Sequence, residues 1–316
     1  MISAPLAGYL RRLGFAGPPR PTAEALFALQ RAHLERIPYE NLDIQLGRPP
    51  GIDPELSVRR IAAGRGGYCL HLNGAFSVLL RALGYDVTRH FAAVHLPVER
   101  ERRDATGDHL ALTVRVDGAA YVVDTGLGDG PHEPLPLRAG TYRRGGFTYR
   151  LEELGGPVAG WRYVNDAGSA PVMNFHAGPA DMAEFEAEHL RMSTSAESGF
   201  VRTLALLRRD ARGVDALRGR VLSRIDPVRG TSERELETPG EFFRVIETVF
   251  GRRIDDLTPA DRDALWARVG RAHEAWLAGK ADRGADGADK GAGRADLGAC
   301  PTPPAGPAPH AAATAP

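Results

Sequence analysis

Apolar residues in the first third of the chain recur at three- and four-residue intervals. Leu26, Leu29, Ala32, His33 and Ile37 follow Pro21-Thr22-Ala23-Glu24, a spacing that predicts a helix opening there and stopping at Pro38. A second stripe, Leu72, Phe76, Leu79, Leu80 and Leu83, predicts a helix from about Cys69 to Ala82, with Gly84 placed for a left-handed C-terminal cap. From Val87 the period falls to two. Val87–Val94, Leu110–Val116 and Tyr121–Val123 read as strands, with Asp117-Gly118 as a hairpin turn between the last two. Further short strands are expected at Thr148–Leu151, Trp161–Val164 and Val201–Leu207. After Arg220-Val221-Leu222 the pattern predicts two helices, Glu241–Phe250 and Pro259–Leu277. A helical start followed by short strands indicates an α+β fold with a small antiparallel barrel or sheet.

Composition narrows the class. The chain has 316 residues, enough for two or three small domains or one compound domain. Lysine plus arginine and aspartate plus glutamate both number 40, so no net charge draws the chain to nucleic acid or to anionic membranes. Residues 280–316 are almost entirely Ala, Gly, Pro and alternating charge, with Leu297 the only large aliphatic, and read as a disordered tail. Met1–Leu10 lacks the pattern of a signal peptide, and no apolar run approaches the ~20 residues of a membrane span. The two cysteines, Cys69 and Cys300, lack CxxC spacing, which argues against a zinc site; a structural disulfide is not expected either. A reducing, cytoplasmic compartment is the expectation, with no metal. Self-association into a homo-oligomer stays open.

Cys69 carries the candidate chemistry. Gly64, Gly66 and Gly67 precede it and permit close backbone approach, and the cysteine falls in the first turn of an amphipathic helix, where free amides and the macrodipole favour a thiolate. A nucleophilic thiol needs a base, and the base needs an orienting group. His109 begins the strand Leu110-Ala111-Leu112-Thr113-Val114, and Asp124 ends Tyr121-Val122-Val123. If Asp117-Gly118 is a two-residue turn, Val116 pairs with Ala119 and Ala111 opposes Asp124. His109 and Asp124 then share one sheet face as diagonal neighbours. A four-residue turn keeps that parity; a three-residue turn without a bulge breaks it.

With these residues in view, the chain resembles the arylamine N-acetyltransferases across nearly all of its folded length. The resemblance is carried by Arg36-Ile37-Pro38-Tyr39-Glu40-Asn41-Leu42, by Arg65-Gly66-Gly67-Tyr68-Cys69 with Asn73, and by Asp108-His109-Leu110. Asp124-Thr125-Gly126-Leu127-Gly128 and Ser193-Thr194-Ser195-Ala196-Glu197-Ser198-Gly199-Phe200 complete it. It implies a helical domain over residues 1–86, a β-barrel domain over 87–205 carrying His109 and Asp124, and an α/β lid over 206–279, around a cysteine-protease-like Cys-His-Asp core. It also implies a Cys69–His109–Asp124 triad that accepts acetyl from acetyl-CoA and passes it, ping-pong fashion, to an arylamine or hydrazine. Arg65 and Glu40 match positions that pair to brace the active-site helix, with Asn73 as a further support. Tyr68, Thr106 and Gly107 would lie along the pantetheine, Leu127 and Phe200 would line the acceptor pocket, and Arg208, Arg209 and Arg212 could meet phosphates.

The sequence departs from the family pattern at His71 and Leu72, where a polar pair is frequent, and at Leu127, where phenylalanine is frequent. A smaller Leu127 would widen the acceptor pocket. Such changes suit a second reading, an amide synthase that takes a larger, carrier-bound polyketide acyl group and closes a macrolactam. Two further readings keep the residues but change the class: a papain-like or transglutaminase-like hydrolase, and a degenerate, non-catalytic binding module.

Overall fold

Capping residues fix the helical start of the chain. Helix α1 (Ala4–Leu13) ends on Gly14 at φ 88°, and Thr22 accepts the Ala25 amide at 3.2 Å to open α2 (Ala23–Arg36). A two-residue strand, β1 (Tyr39–Glu40), and the single turn α3 (Leu42–Gln45) lead to α4 (Pro54–Ala62), capped by Asp53. Helix α5 (Cys69–Ala82) closes on Gly84 at φ 94°, with the Tyr85 amide returning to the Leu80 carbonyl at 3.0 Å. Leu10, Leu26, Leu29, Val58, Ile61, Phe76 and Leu79 from four of these helices are buried together, so α5 runs through the centre of this core. The computed structural model describes residues 2–99, 101–156, 159–165 and 171–285.

Eight strands follow in one antiparallel sheet: β2 (Asp86–His95), β3 (His109–Val116), β4 (Ala119–Val123), β5 (Leu135–Pro136), β6 (Gly140–Arg144), β7 (Phe147–Leu154), β8 (Gly160–Asn165) and β9 (Val172–His176). Their order is β5-β4-β3-β2-β9-β8-β7-β6, a near-closed barrel around Ala111, Val122, Phe147, Tyr149, Tyr163 and Phe175. Asp117 and Gly118 both take positive φ, 51° and 74°, as a two-residue hairpin turn demands, and Val116 pairs with Ala119. The short helices α6 (Glu186–Thr194) and α7 (Gly199–Arg202) come next. The strand expected over Val201–Leu207 therefore begins only at Ala205. Ser198 accepts the Phe200 amide and makes the preceding residues a helical turn instead.

A second antiparallel sheet joins β1 to β10 (Ala205–Arg209), β11 (Val214–Arg218), β12 (Val221–Asp226) and β13 (Gly230–Glu235) in that order. Tyr39 pairs with Leu207 and Glu40 with Leu206, so a segment from the helical start supplies the edge strand. Phe242 and Ile246 of α8 (Pro239–Thr248) and Leu265 and Val269 of α9 (Pro259–Ala285) pack on Leu206 and Leu217 of this sheet. Helix α9 runs on through Ala285, past the expected start of the tail at residue 280: Ala-Gly-Lys-Ala-Asp-Arg-Gly-Ala continues without proline, and its alanines, lysine and arginine are good helix formers that offset the two glycines and the aspartate. The rest of that tail, Cys300 included, lies outside the described residues. Among the described residues, no helix is long and apolar enough to cross a membrane.

Candidate active site

The glycine-rich lead-in to α5 is laid directly on β1. The Glu40 amide donates to the Gly67 carbonyl at 2.9 Å, and the Gly66 amide donates to Glu40 Oε1 at 3.1 Å. A Cβ on Gly66 would stand 2.2 Å from the Pro38 carbonyl, so only glycine permits this approach. Glu40, 2% exposed, also accepts the Leu42 amide at 2.7 Å and lies 3.3 Å from Arg252 Nε, itself fully buried. Arg252 and Arg65 both bind Asp256, at 2.9 and 3.0 Å and at 2.9 Å. The expected Arg65–Glu40 pair is thus replaced by a relay, Arg65–Asp256–Arg252–Glu40, because residues from the turn before α9 insert between the two. Burial pushes the Asp256 carboxyl up, but the two guanidiniums hold it at about 2.

Cys69 stands at the first position of α5, 4% exposed, its Sγ 3.3 Å from the Asp108 carbonyl. The β3–β4 register keeps the parity that places His109 and Asp124 on one face, and His109 Nε2 meets Asp124 Oδ2 at 2.7 Å. With Nε2 so engaged, Nδ1 is the ring nitrogen left for the hydrogen bond to Cys69. Both residues are 2% exposed. Asp124 is fixed in turn: its Oδ1 accepts the Gly126 amide at 2.7 Å, the Leu127 amide at 3.1 Å and Asn73 Nδ2 at 3.1 Å. Asn73 also donates to the Leu110 carbonyl at 2.6 Å and accepts the Thr125 amide and hydroxyl at 2.8 and 2.9 Å. It bolts α5, β3 and the loop after β4 together.

Electrostatics follow from this enclosure. Burial pushes His109 down, but the charge and hydrogen bond of Asp124, with Cys69, raise it to about 10, so the imidazole is cationic at neutral pH. Burial is the largest influence on the Cys69 thiol and pushes it up. The hydrogen bond and charge of His109 pull it down, while the Asp108 and Asp124 charges push it up again. On balance the thiol lies above its ordinary value, so the cation fixed beside the sulfur offsets only part of the effect of burial. Burial also raises Asp108, to about 6, against the Val94 amide that donates to it at 2.9 Å.

The remaining expected residues fall into three groups. Tyr68 is fully enclosed, its hydroxyl on His189 Nδ1 and its ring 5.0 Å from Phe200 and 4.6 Å from His71. His71 is buried, pulled down to about 3 mainly by that burial, and directed at the Pro50 carbonyl. Thr106 is exposed at the approach to His109, and Gly107, at φ 83°, lies under the Phe91 ring. Leu127 is 7% exposed, and Phe200 is half-buried with its carbonyl held by Asn41 and Gln45 at 2.8 and 2.6 Å. Of the three cations expected at phosphates, Arg208 is paired with Asp215 at 3.1 Å and Arg209 is buried against the Phe147 ring at 4.1 Å. Only Arg212 is left exposed. Sequence reasoning missed Arg252, Asp256 and Gly126. Gly126 was legible inside its motif: a Cβ there would stand 2.7 Å from Cys69 Cα and 2.9 Å from Asn73 Nδ2.

Similarity to known proteins spans most of the chain. The N-acetyltransferase family model matches residues 22–258. An arylamine N-acetyltransferase of Mycolicibacterium smegmatis is 32% identical over 272 residues, covering 84% of this chain and 98% of that protein. A proansamycin X synthase of Amycolatopsis mediterranei is 36% identical over 151 residues, 46% of this chain and 57% of that protein. Among solved structures, the arylamine N-acetyltransferase of Mycobacterium marinum in complex with CoA is similar at a TM-score of 0.75 and 27% identity, covering 84% of this chain and 99% of that one.

Proposed function

The chain belongs to the arylamine N-acetyltransferase family and is an acyltransferase, and on that premise we propose that it carries acetyl from acetyl-CoA to an arylamine or hydrazine on Cys69. The observation that supports this most strongly is the buried His109–Asp124 contact of 2.7 Å, with the second ring nitrogen turned to a cysteine at a helix N-terminus. In the first half-reaction the Cys69 thiolate attacks the acetyl carbonyl. The new C–S bond forms, the bond to CoA breaks, and the departing thiolate takes the proton held on His109. The Cys69 amide, without an intrahelical partner in the first turn, is available to the oxyanion. In the second half-reaction the amine nitrogen attacks the thioester, His109 takes its proton, and the Cys69 thiolate leaves. Amines attack thioesters readily while water does so slowly, so the intermediate can wait for its acceptor.

In this reading Asp124 orients the imidazole, and Asn73 and Gly126 orient Asp124. Thr106 and Gly107 border the donor's path, Leu127 and Phe200 border the acceptor, and Tyr68 acts as a brace beneath them. The segment 206–279, expected as a lid, braces the nucleophile from below through Arg252 and Asp256. A second reading, a larger acyl donor and a bulkier amine, draws support from the similarity to the proansamycin X synthase and from leucine at position 127. Mass spectrometry of the Cys69 peptide decides between them. Acetyl-CoA should add one acetyl group, discharged by a simple arylamine and absent in Cys69→Ala. Labelling only by a long-chain carrier thioester favours the second reading, and full transfer activity in Cys69→Ala sinks both.

A further inference from the structure

Tyr68, the residue before the nucleophile, sends its side chain among rings drawn from three helices. His71, in the first turn of α5, lies nearly perpendicular to it at 4.6 Å, and Phe200 of α7 is tilted against it at 5.0 Å. His189 of α6 is near-parallel at 6.0 Å, and its Nδ1 meets the Tyr68 hydroxyl. The other His189 nitrogen is left for the Pro50 carbonyl, which His71 Nε2 also approaches at 3.4 Å. A carbonyl only accepts, so His189 carries its proton on Nε2 and offers the Nδ1 lone pair to the Tyr68 O–H. Burial lowers His189 and keeps the ring neutral at about pH 7. The contact therefore has one sense: phenol donating, imidazole accepting.

Helix α6 carries this contact to the acceptor side. Phe185 at its start, His189 and Met192 are four and three residues apart and share its inner face. Phe185 and Met192 are buried in the core that holds Tyr68 and Cys69, while Leu190 is exposed. Ser198 then donates to the Met192 carbonyl at 2.5 Å and accepts the Phe200 amide at 3.2 Å, so the Phe200 backbone moves with α6. The backbone at Cys69 is held by other means. The Glu40 amide donates to the Gly67 carbonyl at 2.9 Å, and the His71 and Leu72 amides donate to the Tyr68 carbonyl at 2.9 and 3.0 Å. Losing the hydroxyl contact therefore tips the Tyr68 and Phe200 rings and leaves the sulfur in place. We propose that His189 is a positioning residue for the acceptor: through the Tyr68 hydroxyl it holds α6 and α7 so that the Phe200 ring forms a wall for a flat aromatic amine. The inference rests on the acetyl-CoA reading above and deepens it, since aromatic amines, and not the smallest hydrazine, depend on this contact.

The test gives His189→Leu two acceptors, p-anisidine and unsubstituted hydrazine, with acetyl-CoA as donor. The kcat/KM for the arylamine should fall roughly 10-fold, the scale of leaving a buried hydroxyl without its partner. Hydrazine has no ring to seat, so its kcat/KM, and that for acetyl-CoA, should stay within about twofold of the wild type. His189→Asn, whose Oδ1 can stand where Nδ1 does, should recover the arylamine to within about threefold. Tyr68→Phe removes the same hydrogen bond from the other side with little change in volume, and should repeat the arylamine loss. Tyr68→Phe/His189→Leu should lose no more than either change alone. Equal losses with both acceptors, additive losses in the double variant, or an unchanged arylamine constant overturn the proposal and leave the acetyltransferase reading standing. Failure of acetyl-CoA to acetylate wild-type Cys69 overturns both.

Discussion

Adding one methyl group at Gly126 is the sharpest way to disturb the site without touching its chemistry. The residue sits outside the left-handed region, so alanine meets no backbone strain there. The cost is steric. A Cβ would stand 2.7 Å from Cys69 Cα, 3.0 Å from Cys69 Cβ and 2.9 Å from Asn73 Nδ2, about 1 Å short of ordinary contact. The neighbours are helix backbone and a side chain fixed by four hydrogen bonds, so the loop is what moves. That loop carries the amide that binds Asp124 Oδ1 at 2.7 Å, and Asp124 orients His109. Overpacking of this kind costs about 1–3 kcal/mol of stability. A ~1 Å misplacement of a catalytic group costs about 100-fold in rate. Gly126→Ala should therefore stay folded at 25 °C in a urea titration, yet lose about 100-fold in kcat/KM for acetyl transfer. Gly17→Ala, where a Cβ meets nothing within 4 Å, serves as the control. Wild-type turnover in Gly126→Ala would refute the argument that this close approach sets the geometry of the site.

Two more perturbations probe the supports. Arg252→Met strips the cation from a relay in which Glu40 and Asp256 remain, and should cost about 3–5 kcal/mol in urea unfolding; a loss below about 1 kcal/mol would show that the relay is not a brace. His33 is fully buried and pulled down to about 3, mainly by that burial, and among the described residues its two ring nitrogens have no hydrogen-bond partner. The unfolded chain therefore takes up this proton first, near pH 6.5. Stability should hold above that pH and fall as the pH drops toward 3, by on the order of 3 kcal/mol at pH 4. His33→Phe, between Tyr9 and Phe76, should flatten that limb in thermal melts from pH 7 to 4; an unchanged limb would assign it elsewhere.

The pairing of His109 with Asp124 was legible because Asp117-Gly118 fixes the turn length and strand parity does the rest. The course of α5 was legible from its apolar stripe and from Gly84. Helix α1 could have been found the same way, since Leu6, Tyr9, Leu10 and Leu13 have helical spacing. Strand β13, Gly-Thr-Ser-Glu-Arg-Glu, is exposed at every position, so no alternation marks it. Its place is set by pairing with β12 rather than by burial. The Arg65–Glu40 brace failed for a different reason. Charges in a sequence do not name their partners, and Asp256, 191 positions from Arg65, is placed only once α8 and α9 pack on the second sheet.

The central claim, that Cys69 carries the acyl group under the control of His109, is tested most directly by rapid mixing with acetyl-CoA in the absence of any amine. The account predicts a burst of free CoA, about one equivalent per chain, followed by near-arrest until an arylamine is added. His109→Gln should suppress the burst rate. A linear release of CoA that requires the amine from the first turnover, or an undiminished burst in His109→Gln, would contradict it.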